Sequence, residues 1–216
     1  MAQDNIEALV QSRNVELFDP NFSGDIDPYE LFDRWLELAW EKEPDNANAM
    51  SLATMDKDGL PNIRIVLLKE READGFTFYT NTTSAKGNEL ADHPQAALGF
   101  YWKSLAWQVR VRGKVQPVTA ERADAYYASR PRGSQIGAHA SHQSQPLSSR
   151  QELIDRVEEL NQKYEGQDVP RPSHWSGYTV LPSEIEFWCD GEFRLHNRVR
   201  FTRSADGTWQ RQRLNP

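Results

Sequence analysis

Trp107-Gln108-Val109-Arg110-Val111-Arg112-Gly113-Lys114-Val115-Gln116-Pro117-Val118 is the stretch that decides the fold. Trp107, Val109, Val111 and Val115 share one face of an extended chain, and Gln108, Arg110, Arg112 and Lys114 share the other. Successive side chains of a strand point to opposite sides, so this alternation predicts a strand with one face in a core and one in water. Upstream, strands are expected over 50–55, 62–69, 76–79 and 96–101; downstream, over 178–181, 184–188, 199–202 and 209–213. Asp58-Gly59 and Asp206-Gly207 supply hairpin turns. Within 62–69 the run Ile65-Val66-Leu67-Leu68 is unbroken, which predicts burial on both faces.

Helical signals sit between these strands. Asp27-Pro28-Tyr29-Glu30 reads as an N-cap, a first-turn proline and a capping-box glutamate, with Leu31, Trp35, Leu38 and Ala39 following at helical spacing. Further helices are expected over 84–92, stopped by His93-Pro94, over 119–129 and over 149–164. For the last, Ser148 is the expected N-cap, with Gln151 three residues on and Leu153, Ile154, Val157, Leu160 and Tyr164 as its apolar stripe. About eight short strands without regular β-α-β alternation argue against a doubly wound parallel sheet. They predict a mainly β fold, a small antiparallel barrel with peripheral helices. The polar residues 1–25 are expected to form a flexible arm, and 26–216 a single domain.

Composition narrows the function. A net charge of -7 excludes broad electrostatic attachment to nucleic acid or anionic lipid, so any anion must be held by a few local cations. No basic n-region with an apolar run opens the chain, and no stretch approaches the roughly 20 apolar residues of a membrane helix. With one cysteine, Cys189, neither an intrachain disulfide nor a zinc framework is available, and the expectation is a cytoplasmic protein. Dinucleotide, Walker and nucleophile-elbow motifs are absent. His139 and His142 are three apart without a third ligand, and are read as polar residues at a helix end rather than a metal site. Cys189 beside Trp188 reads as a small buried hydrophobe.

What is present is a series of cations and hydroxyls at strand ends and helix starts: Arg64, Lys69, Tyr79-Thr80, Ser84, Lys86, Gln108, Tyr126, Arg130, Ser134 and Gln143-Ser144. A phosphate dianion favours such settings. At roughly 1.5–3 kcal/mol for each charged hydrogen bond, four or five would hold a phosphorylated ligand without a basic surface.

Arg64-Ile65-Val66-Leu67-Leu68-Lys69 and Phe78-Tyr79-Thr80-Asn81 closely resemble the FMN-binding segment of the pyridoxamine 5′-phosphate oxidase family. Ser129-Arg130-Pro131-Arg132-Gly133-Ser134-Gln135-Ile136-Gly137 resembles its substrate-phosphate segment. Glu186-Phe187-Trp188, Arg194-Leu195-His196-Asn197-Arg198 and the closing Arg213-Leu214-Asn215-Pro216 resemble its C-terminal signature. The resemblance runs from about Ala49 to the last residue. It implies an FMN-binding split barrel, a homodimer with two interfacial sites, and oxidation of pyridoxine 5′-phosphate and pyridoxamine 5′-phosphate by O2 to pyridoxal 5′-phosphate and H2O2.

By the same resemblance, Arg64, Ile65, Val66, Leu67, Leu68, Lys69, Tyr79, Thr80, Lys86, Gln108, Gln143, Ser144, Trp188 and Arg198 are expected to contact FMN. Lys69, Tyr126, Arg130 and Ser134 are expected to grip the substrate phosphate. Arg194, Leu195 and His196 fall beside the substrate ring, with Arg194 and His196 as catalytic candidates. On an extended segment, side chains two apart point the same way. The chain departs from the family pattern at Ala85, where an arginine is common, at Asn197, where an aspartate is usual, and at Gln11-Ser12-Arg13-Asn14, which holds one arginine. Rival readings are a phenazine-biosynthesis-type flavin oxidase of another ring, a non-catalytic flavin- or pyridoxal-phosphate-binding module, and a plain structural barrel.

Overall fold

The computed structural model describes residues 26–72 and 75–216; the expected arm over 1–25 lies outside the described residues. The elements in chain order are α1 (Pro28–Lys42), β1 (Ala49–Met55), β2 (Pro61–Leu67), β3 (Glu70–Glu72), β4 (Gly75–Asn81), α2 (Ala85–Asp92), β5 (Gln95–Trp102), β6 (Trp107–Pro117), α3 (Ala120–Ala128), α4 (Arg132–Ala140), α5 (Arg150–Lys163), β7 (Trp175–Cys189), β8 (Asn197–Arg203) and β9 (Trp209–Leu214). Strands pair in the order β2-β1-β5-β6-β7-β4-β3, with β8 on β7 and β9 on β8. The β3–β4, β4–β7, β7–β8 and β8–β9 ladders are antiparallel.

By internal contacts the chain forms two compact units. One takes the residues through Ser51 with Ala97–Gly113 and Pro182–Pro216; the other takes Leu52–Ala96 and Lys114–Leu181. In the first, α1 starts where the sequence places it: the Asp27 carboxylate accepts from the backbone N–H of Tyr29 at 2.7 Å and of Glu30 at 3.2 Å. Its apolar stripe then buries aromatic on aromatic. Phe32 meets Phe100 with ring centroids 5.0 Å apart, and Trp35 lies between Trp107 at 4.4 Å and Phe187 at 5.0 Å. Trp107, Val109, Val111 and Val115 of β6 are all buried, as the alternation requires.

In the second unit β4 is buried almost throughout, because β3 and β7 flank it. The first turn of α2 is pressed onto the backbone of Thr82, and a Cβ at Gly87 would collide with the Thr82 carbonyl. Ser84 caps this helix, its hydroxyl accepting from the Gly87 N–H.

Four expectations need correction. The β2 run is not buried on both faces: Ile63 and Ile65 are 67% and 65% exposed, because nothing in the described chain covers that side. The strands expected over 178–181 and 184–188 are one strand, β7. Pro182 falls between the stretch of β7 paired with β4, which ends at Val180, and the stretch paired with β8, which begins at Glu184, so neither of those ladders needs the N–H that proline lacks. Helix α5 is capped one residue later than expected, by Ser149 accepting from the Glu152 N–H at 3.1 Å, while Ser148 bonds the Glu152 carboxylate. Its apolar stripe is only half-buried. Finally, Glu192–Arg194 is a 3-10 turn, with Phe193 and Arg194 both left-handed at φ 56° and 65°, so Arg194 and His196 are not on one extended segment.

Phe32 is fully buried against Phe100 and Trp102. Phe32→Ala is therefore expected to cost about 3–5 kcal/mol of stability in denaturant titration, with an unchanged m-value.

Candidate active site

In the Leu52–Ala96/Lys114–Leu181 unit a cleft of about 520 Å³ is lined by Arg64, Ile65, Val66, Leu67, Lys69, Tyr79, Thr80, Lys86, Tyr126, Arg130, Ser134 and Gln143, together with Asn81, Gly137, Ala138, Ser141 and Trp175. Twelve positions singled out from sequence thus share one cavity. Leu68 is buried and does not line the cleft. Ser144 lines a neighbouring recess with Gln143 and holds a left-handed φ of 69°.

Strand β4 delivers Tyr79 and Thr80, α2 delivers Lys86, and α3 with the turn after it delivers Tyr126 and Arg130. The Lys86 ammonium reaches only neutral oxygens: Gln143 Oε1 at 2.9 Å, Thr80 Oγ1 at 3.3 Å and Ser84 Oγ at 3.4 Å. Burial lowers its pKa, the nearby Arg64 charge lowers it further, and Glu89 opposes both. Arg130 spreads its guanidinium over the rings of Trp175 at 4.7 Å and Tyr127 at 5.7 Å, and its Nη1 is buried without a hydrogen-bond partner. Burial lowers its pKa too. Beyond it, α4 begins with no side-chain cap, and Ser134 sits in its first turn.

Arg64 is differently placed. Its Nη2 lies 2.8 Å from Glu89 Oε2, and its Nη1 donates to Thr54 Oγ1 and to the Leu52 carbonyl. Asn62 Nδ2 donates to Glu89 Oε1 at 2.8 Å. Burial pushes the Glu89 pKa up, but the donors of Thr54, Asn62 and Arg64 together hold it below the usual carboxylate range.

Tyr79, Tyr126 and Trp175 form a nearly parallel stack. Tyr79 lies 4.0 Å from Tyr126 at 11° and 5.3 Å from Trp175 at 7°. The stack exists because Gly177, opposite Tyr79 in the β4–β7 ladder, has no side chain: a Cβ there would stand 2.7 Å from the Tyr79 ring.

Gln108, Trp188, Arg194, Leu195, His196 and Arg198 belong to the other unit. His196 Nδ1 lies 3.0 Å from Asp190 Oδ1 and accepts from the Gly191 backbone N–H at 3.2 Å. The imidazole packs 4.7 Å from the Trp188 ring. Arg198 is bound to the buried Glu186 carboxylate at 2.9 Å, and Arg110 shares that carboxylate. Arg194 and Leu195 are exposed. Sequence reasoning passed over Glu70, Arg122 and Trp175; only Trp175, as a large aromatic at a strand start, carried a local signal.

A model of pyridoxamine 5′-phosphate oxidase matches residues 36–164, and one of the pyridoxine 5′-phosphate oxidase C-terminal dimerisation region matches residues 175–216. The chain belongs to the pyridoxamine 5′-phosphate oxidase family. It is 57% identical over 197 residues to the pyridoxine/pyridoxamine 5′-phosphate oxidase of Caulobacter vibrioides, covering 91% of this chain and 88% of that one. The Brucella anthropi enzyme of the same name is 54% identical, with 91% and 97% covered. Among solved structures, PhzG from Burkholderia lata in complex with tetrahydrophenazine-1-carboxylic acid superposes with a TM-score of 0.85 at 31% identity, covering 93% and 96%. A pyridoxamine 5′-phosphate oxidase-related, FMN-binding protein from Nostoc punctiforme gives 0.72 at 15% identity, covering 89% and 100%, and shares the fold. The fold is the family's split barrel, and the cofactor of the family is FMN.

Gly177→Ala is expected to cost about 1–3 kcal/mol by displacing the Tyr79 ring. Combined with Tyr79→Ser, the loss in thermal unfolding should be smaller than the sum of the single losses; simple additivity would contradict the contact.

Proposed function

We propose that this protein is an FMN-dependent oxidase that converts pyridoxine 5′-phosphate and pyridoxamine 5′-phosphate to pyridoxal 5′-phosphate, reducing O2 to H2O2, as a cytoplasmic homodimer. The observation that carries the reading is the pair of desolvated cations in one cleft, Lys86 with neutral partners and Arg130 with an unpartnered buried Nη1. Desolvating a cation without a counterion is unfavourable, and a bound phosphate offsets it. The donor set therefore fits two phosphorylated ligands, the cofactor and the substrate.

Lys86, Thr80, Arg64 and Gln143 would hold FMN from the α2 side, with the 65–69 backbone, Lys69, Tyr79 and Ser144 completing that wall. Gln108, Trp188 and Arg198 are assigned to the same cofactor by family likeness. Lys69, Tyr126, Arg130 and the first turn of α4 with Ser134 would grip the substrate phosphate. Bound FMN supplies the acceptor for the hydride leaving C4′ of the substrate and passes its two electrons to O2. The side chains orient the pyridine ring through its phosphate, converting binding energy into alignment. Arg194, always charged, would orient the reacting substituent, with Leu195 against the ring. His196 would receive the substituent's proton. The alcohol becomes the aldehyde directly, and the amine becomes an imine that water hydrolyses to the aldehyde and ammonia.

The PhzG superposition favours a second reading, oxidation of a carboxylated tricyclic ring. The higher identity to the phosphate-ester oxidases and the Arg130–Ser134 phosphate grip weigh against it.

The purified protein is expected to be yellow, to release FMN on denaturation and to consume O2 with either phosphorylated substrate. A colourless protein, or a yellow one inert to both, would refute the assignment. Arg194→Ala should slow flavin reduction by roughly 100-fold in stopped flow while FMN affinity stays within about twofold. Equal loss of both would remove Arg194 from the reaction.

A further inference from the structure

Helix α3 carries Arg122 one turn before Tyr126. The Arg122 guanidinium reaches back to β3 and β4. Its Nε donates to Glu70 Oε2 at 2.8 Å and its Nη2 bonds the same oxygen; Nη1 lies 2.6 Å from Glu72 Oε2, and Nη2 lies 3.1 Å from Thr77 Oγ1. The other Glu70 oxygen accepts the Tyr79 hydroxyl at 2.8 Å. The Tyr79 ring in turn stacks on Tyr126, 4.0 Å away and nearly parallel. Arg122, Glu70, Tyr79 and Tyr126 therefore close a loop of contacts: ion pair, hydrogen bond, ring stack and one helical turn.

We infer that Arg122 and Glu70 are positioning residues, a clamp that fastens the two halves of the phosphate grip, Lys69 beside Glu70 and Tyr126 on α3 with Arg130 in the turn after it, at a fixed separation. The inference rests on the reading of this cleft as a phosphate-ester site. Neither clamp residue lines the cleft, and each acts through a neighbour that does. Arg122 and Glu70 are 25% and 30% exposed, and pairs so placed contribute little to stability, so the consequence of the clamp is geometric. The Tyr79 hydroxyl is committed to Glu70, which leaves Tyr79 to act through its ring. Burial, then the bond to Glu70 and its charge, raise the Tyr79 pKa; burial raises that of Tyr126 too. Both phenols stay protonated, and Tyr126 keeps a hydrogen to donate.

The clamp also carries a sign. Glu70 is an anion close to a site for anions, and Arg122 neutralises it. Removing Arg122 alone leaves the Glu70 charge without that arginine, beside Lys69 and hydrogen-bonded to Tyr79, which do line the cleft; removing the Glu70 charge as well relieves the repulsion.

The test is binding of pyridoxine 5′-phosphate and of phosphate-free pyridoxine to the FMN-loaded protein by anaerobic calorimetry, with steady-state kcat and KM alongside. Arg122→Met should weaken pyridoxine 5′-phosphate binding at least tenfold, while pyridoxine binding, FMN content and kcat stay within threefold. Adding Glu70→Gln should recover at least half of the loss on a logarithmic scale. Arg122→Lys, which keeps the charge but not the two bonds from Nε and Nη2 to Glu70, should fall between, and it carries the test should Arg122→Met not fold. Loss below twofold in the arginine variants, equal loss for pyridoxine, or a double variant worse than Arg122→Met would overturn the clamp. If the unaltered protein binds pyridoxine 5′-phosphate no better than pyridoxine, the phosphate-site reading itself fails and takes the clamp with it.

Discussion

A lysine ammonium and an arginine guanidinium drawn out of water with no carboxylate to meet them set the terms for the whole Leu52–Ala96/Lys114–Leu181 unit. Lys86 is 9% exposed and touches only hydroxyl and amide oxygens, and Arg130 lies flat on two aromatic rings with one buried nitrogen unpaired. Burial disfavours the charged form of each. A fold retains such groups when a ligand completes them, and a phosphate supplies both the charge and the acceptors.

The contrast with the other cations sharpens this. Arg64 is neutralised by Glu89, and Arg198 and Arg110 share the buried Glu186. Arg122 is neutralised by Glu70 and Glu72. Each of these arginines already has a carboxylate partner. Lys86, by contrast, bonds only neutral oxygens, and Arg130 has a buried Nη1 with no hydrogen-bond partner. The sorting also bears on Ala85: where the family commonly has an additional arginine, the α2 end of the cleft relies on Lys86, with Thr80, Gln143 and Ser84 orienting its ammonium.

Much of this was legible in the residues themselves. The alternation of β6 and the capped start of α1 are local signals, and both elements form where they are written. Of the series of cations and hydroxyls, Arg64, Lys69, Tyr79, Thr80, Lys86, Tyr126, Arg130, Ser134 and Gln143 line one cleft, whereas Gln108 belongs to the other unit. Other features had no local trace. Pro182-Ser183 looks like a strand break, and only the staggered pairing of β7 makes it continuous. The left-handed turn at Phe193 and Arg194 contains no glycine to announce it. The Glu70–Arg122 pair joins residues 52 apart, and each alone looks like an ordinary surface charge. The open side of β2 was misread because an unbroken apolar run looks the same whether its cover is its own chain or something else.

Calorimetric titration of FMN and of riboflavin into the flavin-free protein and its Lys86→Met variant tests the central claim most directly. Loss of one charged hydrogen bond, roughly 1.5–3 kcal/mol, predicts FMN affinity at least tenfold weaker in the variant with riboflavin affinity unchanged. Equal weakening of both flavins, or of neither, would contradict the claim that the unpaired ammonium awaits a phosphate.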